Sequence, residues 1–97
     1  MKAWQLIEKG WTQGASARDS YGIGVYSGDP DAICWCAIGA LAAVYGDSQD
    51  EYDQAFRRVV GVLTDRLGCV YPVIMQWNDA PGRTQAEVVA LLKEADV

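Results

Sequence analysis

The sequence of 97 residues contains no histidine. Imidazole is the commonest general base near neutral pH and a frequent metal ligand. Its absence therefore excludes Ser-His and Cys-His nucleophile pairs and every site in which histidine binds a metal. Cysteine is also scarce, and the three in the chain are Cys34, Cys36 and Cys69. An odd number of cysteines without an export signal predicts reduced thiols rather than a disulfide framework.

The sequence also lacks a segment typical of export or membrane insertion. Glu8 and Lys9 interrupt the N-terminal apolar residues before the core of a signal peptide could form. The uncharged stretch that begins at Ala32 ends before Asp47, which is shorter than the roughly 20 residues that a spanning helix needs. We therefore expect a cytoplasmic protein without a membrane partner.

Positive charge is in short supply, because eight Lys and Arg oppose 13 Asp and Glu and give a formal net charge of -5. Such a balance disfavours binding to phosphate backbones, so we expect no nucleic-acid partner. An acidic surface could instead mimic nucleic acid and inhibit an enzyme that acts on it. Clustering of four acids on one surface would favour that alternative, and their scatter would disfavour it: Asp29, Asp31, Asp47 and Asp50.

Apolar residues are plentiful, at 51% of the chain, which predicts one small folded domain over residues 1–97. The fold expected is mainly α, with about four helices around a central buried helix at about residues 30–45. The clearest helical pattern lies between Ser48, a predicted cap, and Gly68, a predicted stop. Its apolar residues recur with helical spacing: Tyr52, Ala55, Phe56, Val59, Val60, Leu63 and Leu67.

Similar signals bound the other predicted helices. Asp29 and Pro30 have the residue types of a helix cap and a first helical position, and Gly46 is a typical stop. Apolar residues on every face of this segment predict that it runs through the middle of the domain. Thr84 and Glu87 predict a capping box at the start of a C-terminal helix. A short N-terminal helix is expected to end near Gly10.

Two segments leave alternatives open. Residues 20–28 are glycine-rich with alternating apolar side chains, which fits a small β-hairpin or an ordered loop. Residues 69–77 are apolar and contain Pro72, so a short extended piece and a helical turn beginning at Pro72 both remain.

The Cys34-Trp35-Cys36 segment raises the question of thiol chemistry. In the predicted helix, residues two apart are rotated by about 200°, so the two thiols would not share a metal or form a disulfide. Core packing is the favoured interpretation, since free cysteine is often buried. A cysteine near a helix N-terminus can still be reactive, which keeps a thiol nucleophile as an alternative. No metal and no cofactor are predicted.

The residues before the last predicted helix are rich in polar, aromatic and turn-forming types. Asn78 and Asp79 are typical of side-chain turns, and Thr84 is typical of a cap. The functional alternative is the lip of a pocket, in which Trp77 supplies a face and Arg83 a charge.

Three motifs occur in the order seen in a known family. They are Gly10-Trp11-Thr12-Gln13-Gly14-Ala15, Trp35-Cys36-Ala37-Ile38-Gly39-Ala40-Leu41 and Trp77-Asn78-Asp79-Ala80-Pro81-Gly82-Arg83-Thr84, the last followed by Glu87-Val88. Together they resemble a family of small bacterial proteins described as a domain of unknown function. The resemblance supports the helical fold and assigns no activity. The resemblance also points to six residues without assigning them a role: Arg18, Asp19, Cys36, Trp77, Asn78 and Asp79.

The leading functional hypothesis is an accessory or regulatory protein that binds another protein or itself. It expects an exposed aromatic patch formed by Tyr21, Tyr26 and Tyr71. The alternative from another class is a small hydrolase or transferase in which Cys34 or Cys36 faces Asp79. It requires a concave site with the sulfur close to a polar partner. The candidate site residues are Arg18, Asp19, Cys36, Trp77, Asn78, Asp79 and Arg83.

Overall fold

A computed structural model describes residues 1–68 and 74–97. In these ranges the chain forms five helices and one small three-stranded antiparallel sheet. The helices are α1 (Ala3–Lys9), α2 (Ala37–Tyr45), α3 (Gln49–Leu67), α4 (Ile74–Asn78) and α5 (Gln85–Glu94). The strands are β1 (Ala17–Arg18), β2 (Gly24–Val25) and β3 (Cys34–Trp35).

The apolar faces of the helices meet in one core. α2 packs against α1, α3 and α4. The most extensive packing between two described elements is that of α1 against α5. The largest fully buried apolar side chains are Ile7, Leu41, Val59, Leu63, Ile74, Val88, Leu91, Leu92 and Val97. Burial of these side chains is the main force that holds the short helices together, because helices of this length are marginal alone.

Several predicted helix ends are confirmed. α1 ends at Gly10, whose N–H donates to Leu6 O. α3 begins after Ser48, whose Oγ accepts from the N–H of Glu51, and ends at Gly68 with a left-handed φ of 64°. At α5 the capping box of Thr84 and Glu87 is complete in both directions. These ends are set by bonds within one turn, which is why sequence spacing predicts them.

The predicted central helix over about residues 30–45 is wrong in its first part. α2 begins at Ala37, after Cys36 as its cap, and Cys34–Trp35 forms β3 instead. The Asp29 carboxylate accepts from the N–H of Asp31, so it closes a turn and does not cap the helix. The strand is favoured because β3 pairs with β1 on one side and contacts Gly10 on the other.

The sheet has the order β2-β1-β3. Ala17 pairs with Val25 and with Trp35, so β1 lies between the other two strands. β1 and β2 form the hairpin that was one alternative for residues 20–28, although its first strand begins earlier. The outer edge of β3 is covered, because Trp35 N donates to Gly10 O at 3.1 Å and Trp35 O accepts from Thr12 N at 3.1 Å. β2 therefore forms the opposite edge of the sheet.

α4 covers part of residues 69–77, whose conformation the sequence leaves open. It begins at Ile74, and Ile74 and Asn78 are its buried residues. Tyr71 and Pro72, on which the two alternatives for the start of this segment depend, lie outside the described residues.

Candidate functional site

The Asn78 side chain lies at the meeting point of three parts of the chain. It is completely buried at the end of α4. Its Oδ1 accepts from Trp11 Nε1 at 2.8 Å and from the N–H of Ala37 at 3.0 Å. Its Nδ2 donates to Thr12 O at 3.2 Å and to Asp79 Oδ1 at 2.9 Å. All four hydrogen-bonding positions of the amide are used, as a buried polar group requires.

Asp79 and Gln13 extend this network. Asp79 Oδ1 also accepts from the N–H of Gly14 at 3.1 Å. Gln13 Nε2 donates to Asn78 O at 2.9 Å and to Ala80 O at 3.1 Å. The loop that follows α1 is thus fastened to the end of α4. Gln13 is a site residue that the sequence analysis missed, and only its place in the first family-like motif draws attention to it.

Arg18 connects the same loop to the β1–β2 hairpin. Its Nε donates to Thr12 Oγ1 at 3.0 Å, and its Nη2 donates to Gln13 O at 3.1 Å. Its Nη1 donates to Gly22 O in the hairpin turn at 2.9 Å. Asp19 belongs to that turn, where its Oδ1 accepts from the N–H groups of Tyr21 and Ile23. Arg18 and Asp19 therefore shape the hairpin, and Asp19 lies apart from Asn78.

Trp77 and Arg83 form a stacked pair beside α5. The Arg83 guanidinium carbon lies 3.9 Å from the centre of the Trp77 ring, and Arg83 Nε donates to Trp77 O at 2.8 Å. Arg83 Nη1 also contacts Glu87 Oε2 at 3.1 Å. Hydrogen bonds from the Thr84 N–H and hydroxyl, with the Arg83 guanidinium, lower the pKa of the Glu87 carboxyl. Glu87 thus occupies the start of α5, where an anion could otherwise bind.

Cys36 and Asp79 line one small cavity. Its volume is about 200 Å³, and its walls come from Gly14, Ala15, Ser16, Cys36, Met75 and Asp79. Cys36 is only 3% exposed, and its Sγ accepts from the N–H of Gly39 at 3.3 Å. Burial raises the pKa of the Cys36 thiol, and the charge of Asp79 raises it further against the Gly39 N–H bond. At neutral pH this thiol is therefore protonated.

Cys34 lies outside that cavity. Its Sγ lies 3.8 Å from Arg18 O, across the β1–β3 pair. Both cysteines belong to extended backbone, so the helical rotation of about 200° predicted between them does not occur. Both thiols are free. Within residues 1–68 and 74–97, no group of three or more Cys, Asp or Glu side chains is placed to hold a metal ion.

A second feature is a set of exposed apolar side chains on the hairpin and the turn before β3. Tyr21 is 87% exposed, Ile23 62%, Tyr26 68% and Ile33 53%. We call these four residues the hairpin surface. Tyr21 and Ile33 line a cleft of about 370 Å³, and Tyr26 follows the end of β2. Tyr71, the third ring of the expected aromatic patch, lies outside the described residues.

The exposure of Ile33 escapes the sequence analysis because residues 30–45 are interpreted as one helix. A signal is nevertheless present. Asp29-Pro30-Asp31 fits a side-chain turn as well as a helix cap, and Ile33 and Trp35 alternate with Cys34 as they would in a strand.

A family of unknown function matches residues 2–96, which is nearly the whole chain. No curated protein and no solved structure matches the chain. Among the described residues, no helix has the length and apolar character needed to cross a bilayer.

Proposed function

We propose that this chain, which belongs to the family of unknown function DUF6197, is a cytoplasmic accessory or regulatory protein that binds another protein through the hairpin surface. The observation that carries this proposal is the exposure of four large apolar side chains on one small segment. Exposed apolar side chains that are grouped mark interaction sites, and tyrosine is enriched there. Association would remove this apolar area from water.

The hydrogen bonds of Arg18 support the same function, because they hold the hairpin in one conformation. Three of its nitrogens bind Thr12, Gln13 and Gly22, so the turn that carries Tyr21 is tied to the body of the domain. A surface that is ordered before binding loses less conformational entropy on association. Asn78 supports this indirectly, since it fixes the position of Thr12.

The proposal is tested by selecting binders from a displayed library of random 12-residue peptides on the immobilised full chain. We expect enriched peptides to bind the wild type and to lose about tenfold or more in affinity for a Tyr21→Ser, Ile33→Ser double variant, because contacts at the centre of an interface carry most of its energy. Fluorescence anisotropy with the synthetic peptides measures the dissociation constants.

The matched control removes an exposed apolar side chain elsewhere, at Leu67 at the end of α3, which is 53% exposed. Leu67→Ser should bind the same peptides as the wild type. Circular dichroism should show folded spectra for all variants, since substitutions of exposed residues change stability little. Peptides that bind the double variant unchanged, or a library without any enriched peptide, would contradict the proposal.

A second candidate function is a thiol-dependent hydrolase or transferase, favoured by the cavity that Cys36 and Asp79 share. In such a reaction the Cys36 proton would pass to the Asp79 carboxylate as Sγ bonds to an acyl carbon. The bond between the acyl carbon and the departing group would then break as that group takes the proton from Asp79, and water or an acceptor would later release the acyl group from Sγ. The raised pKa of Cys36 disfavours this step at neutral pH, because the thiolate is the nucleophile.

Alkylation rates distinguish a nucleophilic Cys36 from one that is only packed in the core. We expect Cys36 in the native chain to react with iodoacetamide at least about tenfold more slowly at pH 7 than in urea, because its sulfur is buried and protonated. Peptide mapping by mass spectrometry assigns each modified cysteine. Cys34, which is only partly buried, serves as the internal comparison. A native rate at Cys36 above the unfolded rate would favour the enzyme.

A further inference from the structure

Apart from Arg18 of β1, whose guanidinium bonds Thr12, Gln13 and Gly22, the charged residues around the hairpin surface are acidic. From Asp19 to Phe56 there is no Lys or Arg, whereas seven residues are acidic. They are Asp19, Asp29, Asp31, Asp47, Asp50, Glu51 and Asp53. In the described part of the chain, the ion pairs join other residues, so none of these seven carboxylates is neutralised by a salt bridge.

Two of these carboxylates flank apolar side chains of the hairpin surface. Asp19 and Asp31 line the cleft of about 370 Å³ together with Tyr21, Pro30, Ile33 and Ser20. Asp19 Oδ1 is already used by two N–H groups of its own turn. The exposed carboxylate of Asp31 accepts no hydrogen bond from the residues that the structure describes. The cleft therefore combines apolar walls with a negative charge that has no counterion among the described residues.

The register of the sheet places Asp19 between two exposed isoleucines. Asp19 N donates to Ile23 O, and Ile33 N donates to the neighbouring Arg18 O. Extending the β1–β3 register by one residue sets Ile33 opposite Asp19. Extending the β1–β2 register in the same way sets Ile23 opposite Asp19 on its other side. Directly opposed residues of an antiparallel pair share a face. Negative charge and apolar area are thus adjacent in the same surface.

On the basis of the protein-binding function proposed above, we infer that the occupant of the hairpin surface is a basic segment of another protein, with a Lys or Arg side chain in the cleft beside Asp31. These side chains have an apolar stem and a charged tip. The stem fits against Tyr21 and Ile33, and the tip meets the carboxylate. Complementary charge also steers such a partner during its approach.

Other occupants meet a physical objection. An uncharged apolar segment would cover Asp31 without supplying a counterion, and burying an unpaired charge is costly. An acidic segment would add like-charge repulsion. A second copy of this chain would place the same acidic surface against itself in a two-fold dimer, which would bring like charges together.

The peptides selected on the wild-type chain supply the test. We expect Lys and Arg to be enriched at least about twofold over the unselected library. Asp31→Asn should weaken binding of the synthetic peptides about tenfold, because it removes the charge that the basic side chain contacts. Asp50→Asn, which removes an exposed charge from the first turn of α3, should change the dissociation constant less than about twofold.

The outcomes separate this inference from the proposed function. Peptides that require Tyr21 and Ile33 but lack basic enrichment, or that bind Asp31→Asn as well as wild type, overturn the basic occupant and leave protein binding intact. Enrichment of acidic peptides also overturns it. Absence of any peptide that depends on Tyr21 and Ile33 removes the protein-binding proposal itself.

Discussion

At the scale of single residues, Gly39 marks a close approach between α2 and Ser16, the residue before β1. A Cβ at this position would lie 1.9 Å from Ser16 O, which is far inside van der Waals contact. Ser16 O also accepts from the N–H of Cys36, so the loop before β1 is held against the start of the helix. Only glycine allows the two backbones to pass at this distance.

Gly39→Ala should lower the free energy of unfolding by about 1–3 kcal/mol, because the added methyl forces the backbone of residue 16 or the helix to move. The matched control is Gly61→Ala in α3, where a Cβ meets no atom of the described residues within 4 Å. That substitution should raise the free energy of unfolding by about 0.5–1 kcal/mol. Urea denaturation followed by tryptophan fluorescence measures both. Equal effects of the two substitutions would contradict the steric argument.

The roles of Asn78 and Asp79 show how far single residues can be predicted from the sequence. Their residue types predict a turn, and the motif around them draws attention to the segment. Their partners are remote: Trp11 lies 67 residues away from Asn78, and Ala37 lies 41 residues away. No local pattern contains such pairs, because tertiary folding alone brings them together. The burial of Asn78 therefore requires the structure.

At the scale of elements, the start of α5 is stabilised by one carboxylate, whose Oε1 accepts two hydrogen bonds. Glu87 Oε1 accepts from the Thr84 N–H at 3.0 Å and from its hydroxyl at 3.1 Å. These bonds favour the ionised form and lower the pKa of Glu87. The charge also interacts favourably with the positive end of the helix dipole.

Glu87→Gln should lower the free energy of unfolding at neutral pH, and this difference from the wild type should disappear in acid. Because the folded pKa is lowered, the carboxylate contributes stability above its unfolded pKa of about 4.3, and the contribution disappears as the pH falls through the folded pKa. Urea denaturation at pH 7 and pH 3 measures the difference between variant and wild type.

Glu51→Gln is the control for this pH dependence. Glu51 occupies the same helical position in α3, but the N–H of the Ser48 cap bonds to Tyr45 O instead. A loss of stability at pH 3 as large as that at pH 7 for Glu87→Gln would show that the carboxylate charge is not responsible.

The elements also show why local signals succeed at some ends and fail at others. Caps at Ser48 and Thr84 act within one turn, so residue types and spacing predict them. The start of α2 is decided by pairing of β3 with β1, whose residues Ala17 and Arg18 lie far along the chain. Asp29 and Pro30 fit both a helix cap and a turn, and only that pairing selects the turn.

At the scale of the whole molecule, α1 and α5 bring residues from opposite ends of the sequence together. Ala3 N donates to Val97 O at 2.5 Å, and the Tyr45 hydroxyl donates to the same carbonyl at 3.0 Å. Val97 is buried, and Lys2 contacts Asp96. The core is therefore closed by residues that are distant in sequence but adjacent in space.

Because Ala3 contacts Val97, residues 1 and 97 can be joined without moving the elements that pack around them. A circular permutant that joins residue 97 to residue 1 by a short Gly-Ser linker, and opens between the exposed Gly46 and Asp47, should keep the native circular dichroism spectrum. A permutant opened between Gly61 and Val62 should not, because it divides the longest helix. In this fold α1 packs against both α2 and α5, so it can follow α5 along the chain as well as precede α2.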